Sequence, residues 1–174
     1  MSGAVIQPDQ RFFDLDVNAW NAVFSLNLQG TLIPTIVFGE YFEKSKKGTI
    51  VNFSSMTAQQ AVTRVLGYSN AKAAIDNLTK WLAVEFAKKI GEGVRVNAVA
   101  PGFFLSEQNR TLLTNPDGSY TPRACDIINN TPFARFGKTE EVFGAVHYLC
   151  SDASAFVTGT VLAIDGGFSC FSGV

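Results

Sequence analysis

The sequence is short of the residues that announce a metal centre or a disulfide framework. Its only histidine is His147, in Val146-His147-Tyr148-Leu149. There is no cluster of imidazoles and no Cys-x-x-Cys, so no metal is expected. A serine hydrolase is disfavoured for the same reason, since no motif links His147 to a serine as its base. Cys125, Cys150 and Cys170 are odd in number and widely spaced, which fits a reducing, cytoplasmic setting. The formal net charge is −1, so nucleic acid and anionic membrane lack an electrostatic footprint. The N-terminus has no basic segment followed by an apolar core, as a secretory signal would. No apolar run is expected to reach the length that spans a bilayer. Charged residues make up 17% and hydrophobic ones 47%, the balance of a folded chain. The 174 residues suffice for one domain with a sizeable core.

What is present reads as alternating strands and helices. Asp16 can cap a helix that begins at Val17. Trp20, Val23, Phe24, Leu28, Leu32, Ile36 and Phe42 keep helical spacing along it, and Gly48 is expected to end the run. Pro34 lies inside and should bend or locally break the helix. A second helix is predicted from about Tyr68 to Lys89, with Ala71, Ala74, Ile75, Leu78, Leu82 and Phe86 as its buried stripe and Glu85–Lys89 as an exposed i, i+4 pair. A third follows Lys138 and ends near Cys150, with Thr139 as N-cap and Glu140 and Glu141 in its first turn. Three apolar strand patterns lie at Gly48–Ser55, Val94–Gly102 and Val161–Gly167. Their lack of alternation predicts a parallel sheet covered on both faces. Between about 105 and 137 the periodicity dissolves around Asn115-Pro116-Asp117-Gly118, Thr121-Pro122 and Thr131-Pro132. So long an irregular stretch predicts a functional lid.

The chemistry concentrates in Tyr68-Ser69-Asn70-Ala71-Lys72, with Ser55 thirteen residues before the tyrosine. On a helix, a four-residue step puts phenol and ammonium on one face. An ammonium there is expected to favour the phenolate, making Tyr68 a usable proton donor and acceptor. Ser54 competes with Ser55, but adjacent side chains at a strand end face opposite sides, so only one can meet Tyr68. A lone Tyr-x-x-x-Lys is common on amphipathic helices, and its context decides its meaning.

That context resembles the short-chain dehydrogenase/reductase family. The resemblance runs from about Asn18 to the C-terminus. It is carried by Asn27 in Leu26-Asn27-Leu28-Gln29-Gly30, by Ser55, Tyr68 and Lys72, by Asn97 to Gly102, and by Asp165-Gly166-Gly167. It implies a doubly wound, Rossmann-like α/β fold and NAD or NADP as cofactor. It implies that Tyr68 moves the proton and that Ser55 positions the substrate oxygen. Lys72 also holds the nicotinamide ribose, and Asn27 holds a relay water. Pro101-Gly102-Phe103-Phe104-Leu105-Ser106 resembles the stretch that lies against the nicotinamide, with Ser106 in a threonine's place. The family spacing selects Ser55 over Ser54. The long helices at about 17–44 and 68–89 are implied as a homo-oligomer interface.

The family's opening strand, glycine-rich turn and helix have no counterpart here. No G-x-x-x-G-x-G or G-x-G-x-x-G follows an early strand, and the sequence starts at Met1-Ser2-Gly3-Ala4. The chain is therefore expected to be the C-terminal portion of one such domain, an incomplete doubly wound parallel sheet lacking its N-terminal dinucleotide-binding βαβ unit. The wording of Phe103–Arg110, Asn115–Ser119 and Phe168–Val174 resembles one subgroup, the short-chain mannonate oxidoreductases, also called fructuronate reductases. A small keto or hydroxy sugar acid is the implied substrate. Arg110 and Arg123 in the lid are candidates to pair its carboxylate. A gluconate or 3-oxoacyl reductase, or a catalytically silent oligomerisation module, remain the alternatives. The residues that choose NAD over NADP are not in the sequence.

Overall fold

The computed structural model describes residues 11–107 and 109–173. Gln108 of the lid, the Met1–Ala4 start and Val174 lie outside the described residues. Helix α1 spans Val17–Ser45, and Asp16 caps it as expected, accepting from the backbone N–H groups of Asn18 and Ala19 at 2.9 and 3.2 Å. The helix is unbroken across Pro34. It ends on Lys46, whose φ of 56° places it in the left-handed region, and not on Gly48. Gly48 instead opens strand β1, where the Phe42 ring lies so close that an added Cβ would come within 2.4 Å.

Strands β1 (Gly48–Phe53), β2 (Val94–Pro101) and β3 (Val161–Ile164) form a parallel sheet in the order β1-β2-β3. Gly48 pairs with Val94, and Ala98 with Val161. Helix α2 (Leu66–Lys89) crosses one face. There Leu82, Ala83 and Val96 form a core cluster with Ile50, Leu78 and Phe86. Helix α5 (Glu141–Cys150) covers the other side. Only β2 is buried throughout Val94–Ala100; β1 and β3 are half-buried, so the expectation of full cover on both faces holds for the central strand alone. Burial of β2 is tolerated because its polar residues are satisfied. Asn97 donates to Val157 O and accepts from Thr160 N. Arg95 donates to Leu149 O, Ser151 O, Ser154 Oγ and Thr49 Oγ1 at 2.9–3.2 Å.

Helix α1 lies along α2 and β1 but buries only Thr35 and Gly39; Ile36, one of the helically spaced apolar residues, is exposed. By length and composition α1 does reach what a bilayer span needs, with a mean hydropathy of 1.4. That corrects the expectation from the sequence. Here the apolar residues serve partly to dock α2: Gly39 meets the Phe86 ring, and Trp20 meets Gly67 and donates to Asn70 Oδ1 at 3.3 Å. The Glu85–Lys89 ion pair forms as predicted. Helix α5 is capped differently from the expectation. Glu140 occupies the N-cap position, and Glu141 reaches back to accept from Lys138 N at 2.7 Å.

The stretch expected to be a lid, at about 105–137, is not structureless. Helices α3 (Arg110–Leu113) and α4 (Pro122–Asn129) enclose a small core of Leu113, Ala124, Ile127 and Phe136. The predicted turn forms at Asn115–Gly118, closed by Gly118 N donating to Asn115 O at 2.9 Å. Thr121 caps α4 by accepting from Ala124 N, with Pro122 in the first position, where a missing N–H is harmless.

Candidate active site

The site is assembled at the carboxyl end of β1 and the first turns of α2. After Phe53 the chain leaves the sheet, and Ser54 and Ser55 part. Ser54 turns inward and donates to the Asp76 carboxylate. Ser55, also buried, accepts from Thr57 N and Thr57 Oγ1 at 3.3 and 3.1 Å and lies close enough to the Tyr68 hydroxyl to ease its ionisation. The pleat thus separates the two serines as the strand-end reasoning requires.

Helix α2 begins at Leu66, two residues earlier than expected, which sets Tyr68 and Lys72 one turn apart near its start. Lys72 is buried. Its Nζ lies 5.3 Å from the Tyr68 ring centroid and donates to Phe53 O at 2.7 Å. This geometry corrects the expected electrostatics. Burial pushes the Tyr68 phenol above its ordinary range, and the Ser55 hydrogen bond draws it only partly back. Burial also lowers the Lys72 ammonium, with the Asp76 carboxylate opposing. Lys72 stands over the ring face and is itself desolvated, so phenolate is not favoured as the sequence suggested.

Asn27 donates its side-chain amide to Val23 O at 2.9 Å, within its own helix. No hydrogen bond among the described residues joins it to Ser55, Tyr68 or Lys72. Pro101 ends β2, and Gly102 packs so tightly on Asp165 that an added Cβ would lie 2.6 Å from its Cβ. Phe103 stacks edge-on with Phe168, and Phe104 packs on Gly137. Both rings line a cleft with Phe133, Arg135, Ile164 and Asp165. Ser106 is exposed, and its backbone N–H is held by Asn109 Oδ1 at 2.8 Å.

The two lid arginines differ. Arg110 is exposed at the start of α3. Arg123 reaches from α4 to Thr63 Oγ1 and Thr63 O at 3.4 and 3.3 Å. Sequence reasoning missed Arg64 and Asp76. Asp76 carried a signal, the i, i+4 step from Lys72; Arg64 carried none, because only folding brings it near Arg123.

The described donors fit one end of a nicotinamide cofactor. An ammonium carries three donors, and Phe53 takes one from Lys72. A pyrophosphate cradle of the glycine-turn kind is not among these residues.

Comparison with known proteins places this geometry. The family profile described as Enoyl-(Acyl carrier protein) reductase matches residues 1–169. An uncharacterized oxidoreductase of Bacillus subtilis (strain 168), UxuB, is 47% identical over 166 residues, 95% of this chain and 59% of that protein. A Haemophilus influenza structure with bound NAD, provisionally described as a D-mannonate oxidoreductase, has a TM-score of 0.87 and 49% identity, covering 95% of this chain and 58% of its own. A gluconate 5-dehydrogenase from Burkholderia cenocepacia J2315, in complex with NADP and tartrate, has a TM-score of 0.83 and 29% identity, covering 98% of this chain and 64% of its own. The chain thus spans less than two thirds of each of these proteins.

Proposed function

The chain belongs to the short-chain dehydrogenase/reductase family, the NAD(P)-dependent oxidoreductases of the Rossmann fold, and on that footing we propose that it serves to interconvert a ketone and a secondary alcohol of a sugar acid, with fructuronate and mannonate as the pair. The observation that carries the reading is the approach of Ser55 to Tyr68 beside buried Lys72. The substrate class is supported by the provisional mannonate description and the gluconate description of two similar structures.

In ketone reduction the substrate oxygen takes the place beside Tyr68 and Ser55. Ser55 donates to that oxygen and holds it, and Tyr68 delivers the proton as negative charge develops there. NAD or NADP supplies the hydride chemistry. Lys72 would hold the ribose through its remaining donors and, as a nearby cation, would steady the tyrosinate left after transfer. The backbone of Pro101–Ser106, at a strand's carboxyl end, would border the nicotinamide. Asn27 holds a relay water through its Oδ1, which accepts no hydrogen bond from the described residues. The site operates in the cytoplasm, and a second copy docks on α1 and α2. Ile33, Ile36 and Val37 of α1 and Trp81 and Val84 of α2 are exposed and favour such a contact.

A substrate panel tests the reading. Fructuronate with NADH or NADPH is expected to be reduced faster than 5-ketogluconate, an uncharged ketose or a 3-oxoacyl thioester. Faster turnover of the thioester would overturn it in favour of the acyl-reductase alternative, and faster turnover of 5-ketogluconate in favour of the gluconate type.

A further inference from the structure

Arg64, in the loop before α2, and Arg123, in the first turn of α4, are 59 residues of sequence apart, yet the fold sets them beside one another. Arg123 crosses from α4 to Thr63, the residue immediately before Arg64. Arg64 lies four residues before Tyr68, which limits their Cα separation to about 14 Å at full extension. Arg64 also has a φ of 75°, a left-handed conformation uncommon for a residue with a Cβ. Such local strain persists where the surroundings hold it, and binding sites are where it concentrates.

We infer that Arg64 and Arg123 together form the carboxylate-binding end of the substrate site, with Arg110 taking no part. The inference rests on the sugar-acid reading above and adds the residues that select the acid. Arg123 uses two long hydrogen bonds on Thr63, leaving donors of its guanidinium fork unused. Arg64 is half-buried, and no carboxylate pairs with it among the described residues. Burial disfavours the charge of Arg123 most, and the Arg64 guanidinium beside it disfavours that charge further. Asp126 on α4 supplies the opposing negative charge. Two cations held against one anion, partly out of water, leave room for a second anion, which a planar guanidinium pair binds in two-point fashion. The lid helix and the loop before Tyr68 would then close on the acid end of a substrate whose reacting oxygen lies at Ser55 and Tyr68. Arg110, exposed at the opposite end of the lid's helices, makes no link to that loop.

The purified protein is titrated calorimetrically with D-mannonate and with D-mannitol, its uncharged counterpart, as wild type and as Arg64→Gln, Arg64→Gly, Arg123→Gln and Arg123→Lys. D-mannonate is expected to bind more tightly than D-mannitol. Its affinity should fall about tenfold in each glutamine variant, the loss of one charged hydrogen-bond partner, while D-mannitol binding stays put. Arg64→Gly suits the left-handed backbone, so the same loss there cannot come from misfolding. Arg123→Lys should recover part of the affinity, which a purely structural link to Thr63 would not. Unchanged D-mannonate binding in both glutamine variants, an equal loss for both ligands, or a wild type without preference for the acid would each overturn the inference. Arginine-dependent binding of D-mannonate no tighter than that of acetate would sink the sugar-acid reading and leave the carboxylate site standing.

Discussion

The Lys72 ammonium donates to the Phe53 carbonyl oxygen at 2.7 Å, tying the second turn of α2 to the last residue of β1. That bond fixes where the ammonium can act. It sits over the Tyr68 ring and not at its hydroxyl, so the phenol's partner in this structure is Ser55.

The phenol of Tyr68 should therefore be among the last to ionise. Its contribution to stability is full below the ordinary phenol value of 10.0 and is lost as pH rises through its raised folded value. Ultraviolet difference titration should show a late phenol that disappears in Tyr68→Phe. Ser55→Ala should move it higher still, since the bond that lowers it is gone. A late phenol surviving in Tyr68→Phe would show that the assignment is wrong. In an active enzyme, Tyr68→Phe should cost about 10²–10⁴ in kcat with little change in Tm.

Arg95 is buried and serves four acceptors, two of them the carbonyls of Leu149 and Ser151 at the end of α5. Arg95→Leu takes a charged donor from each, leaving Leu149 O and Ser151 O with Ser154 alone. We expect a loss of about 2–4 kcal/mol in urea unfolding, from the loss of several buried charged hydrogen bonds at once. A loss below about 0.5 kcal/mol, the range of ordinary surface changes, would contradict this account.

Glu141 accepts from both Arg135 guanidinium nitrogens at 2.8 and 2.6 Å and from Lys138 N, which holds its carboxyl down at about 2. Because the folded value is depressed, the stability it contributes is present above 4.5 and is lost as pH falls toward about 2. Stability of Glu141→Gln should fall less steeply over that window than wild type, and carbon-detected NMR should find the Glu141 midpoint near its low end. A midpoint close to 4.5 would refute it.

Cofactor affinity of the 174-residue chain should be weak. The described residues address the nicotinamide end, while a dinucleotide draws much of its affinity from backbone N–H groups around the pyrophosphate. Each ~1.4 kcal/mol forgone is tenfold in affinity. Calorimetric titration with NADH and NADPH should give no micromolar binding, and a micromolar value on a monodisperse sample would reject the prediction. The half-buried edge strand β1, with Phe53 exposed at its end, gives the same sample a tendency to self-associate.

Local signals in the sequence were enough for the elements and for the trio at the site. Asp16 marked the start of α1, apolar runs marked β1, β2 and β3, and the Tyr68–Lys72 step placed two side chains on one helical turn, because these depend on neighbours within a few residues. The period of two at a strand end allowed only one of Ser54 and Ser55 to meet Tyr68, and the family spacing selected Ser55. What depended on distant partners was not legible. The tilt of phenol ionisation was decided by burial and by Phe53 drawing Lys72 aside; the exposure of Ile36 was decided by how little of α1 the sheet and α2 cover. The end of α1 at Lys46, the start of α5 on Glu140 with Glu141 reaching back to Lys138 N, and the approach of Arg123 to Thr63 beside Arg64 likewise arose only when the chain folded. Hydrogen-bond spacing along a helix or strand is written in short-range order, whereas desolvation and charge pairing belong to whatever the tertiary structure brings within a few ångströms.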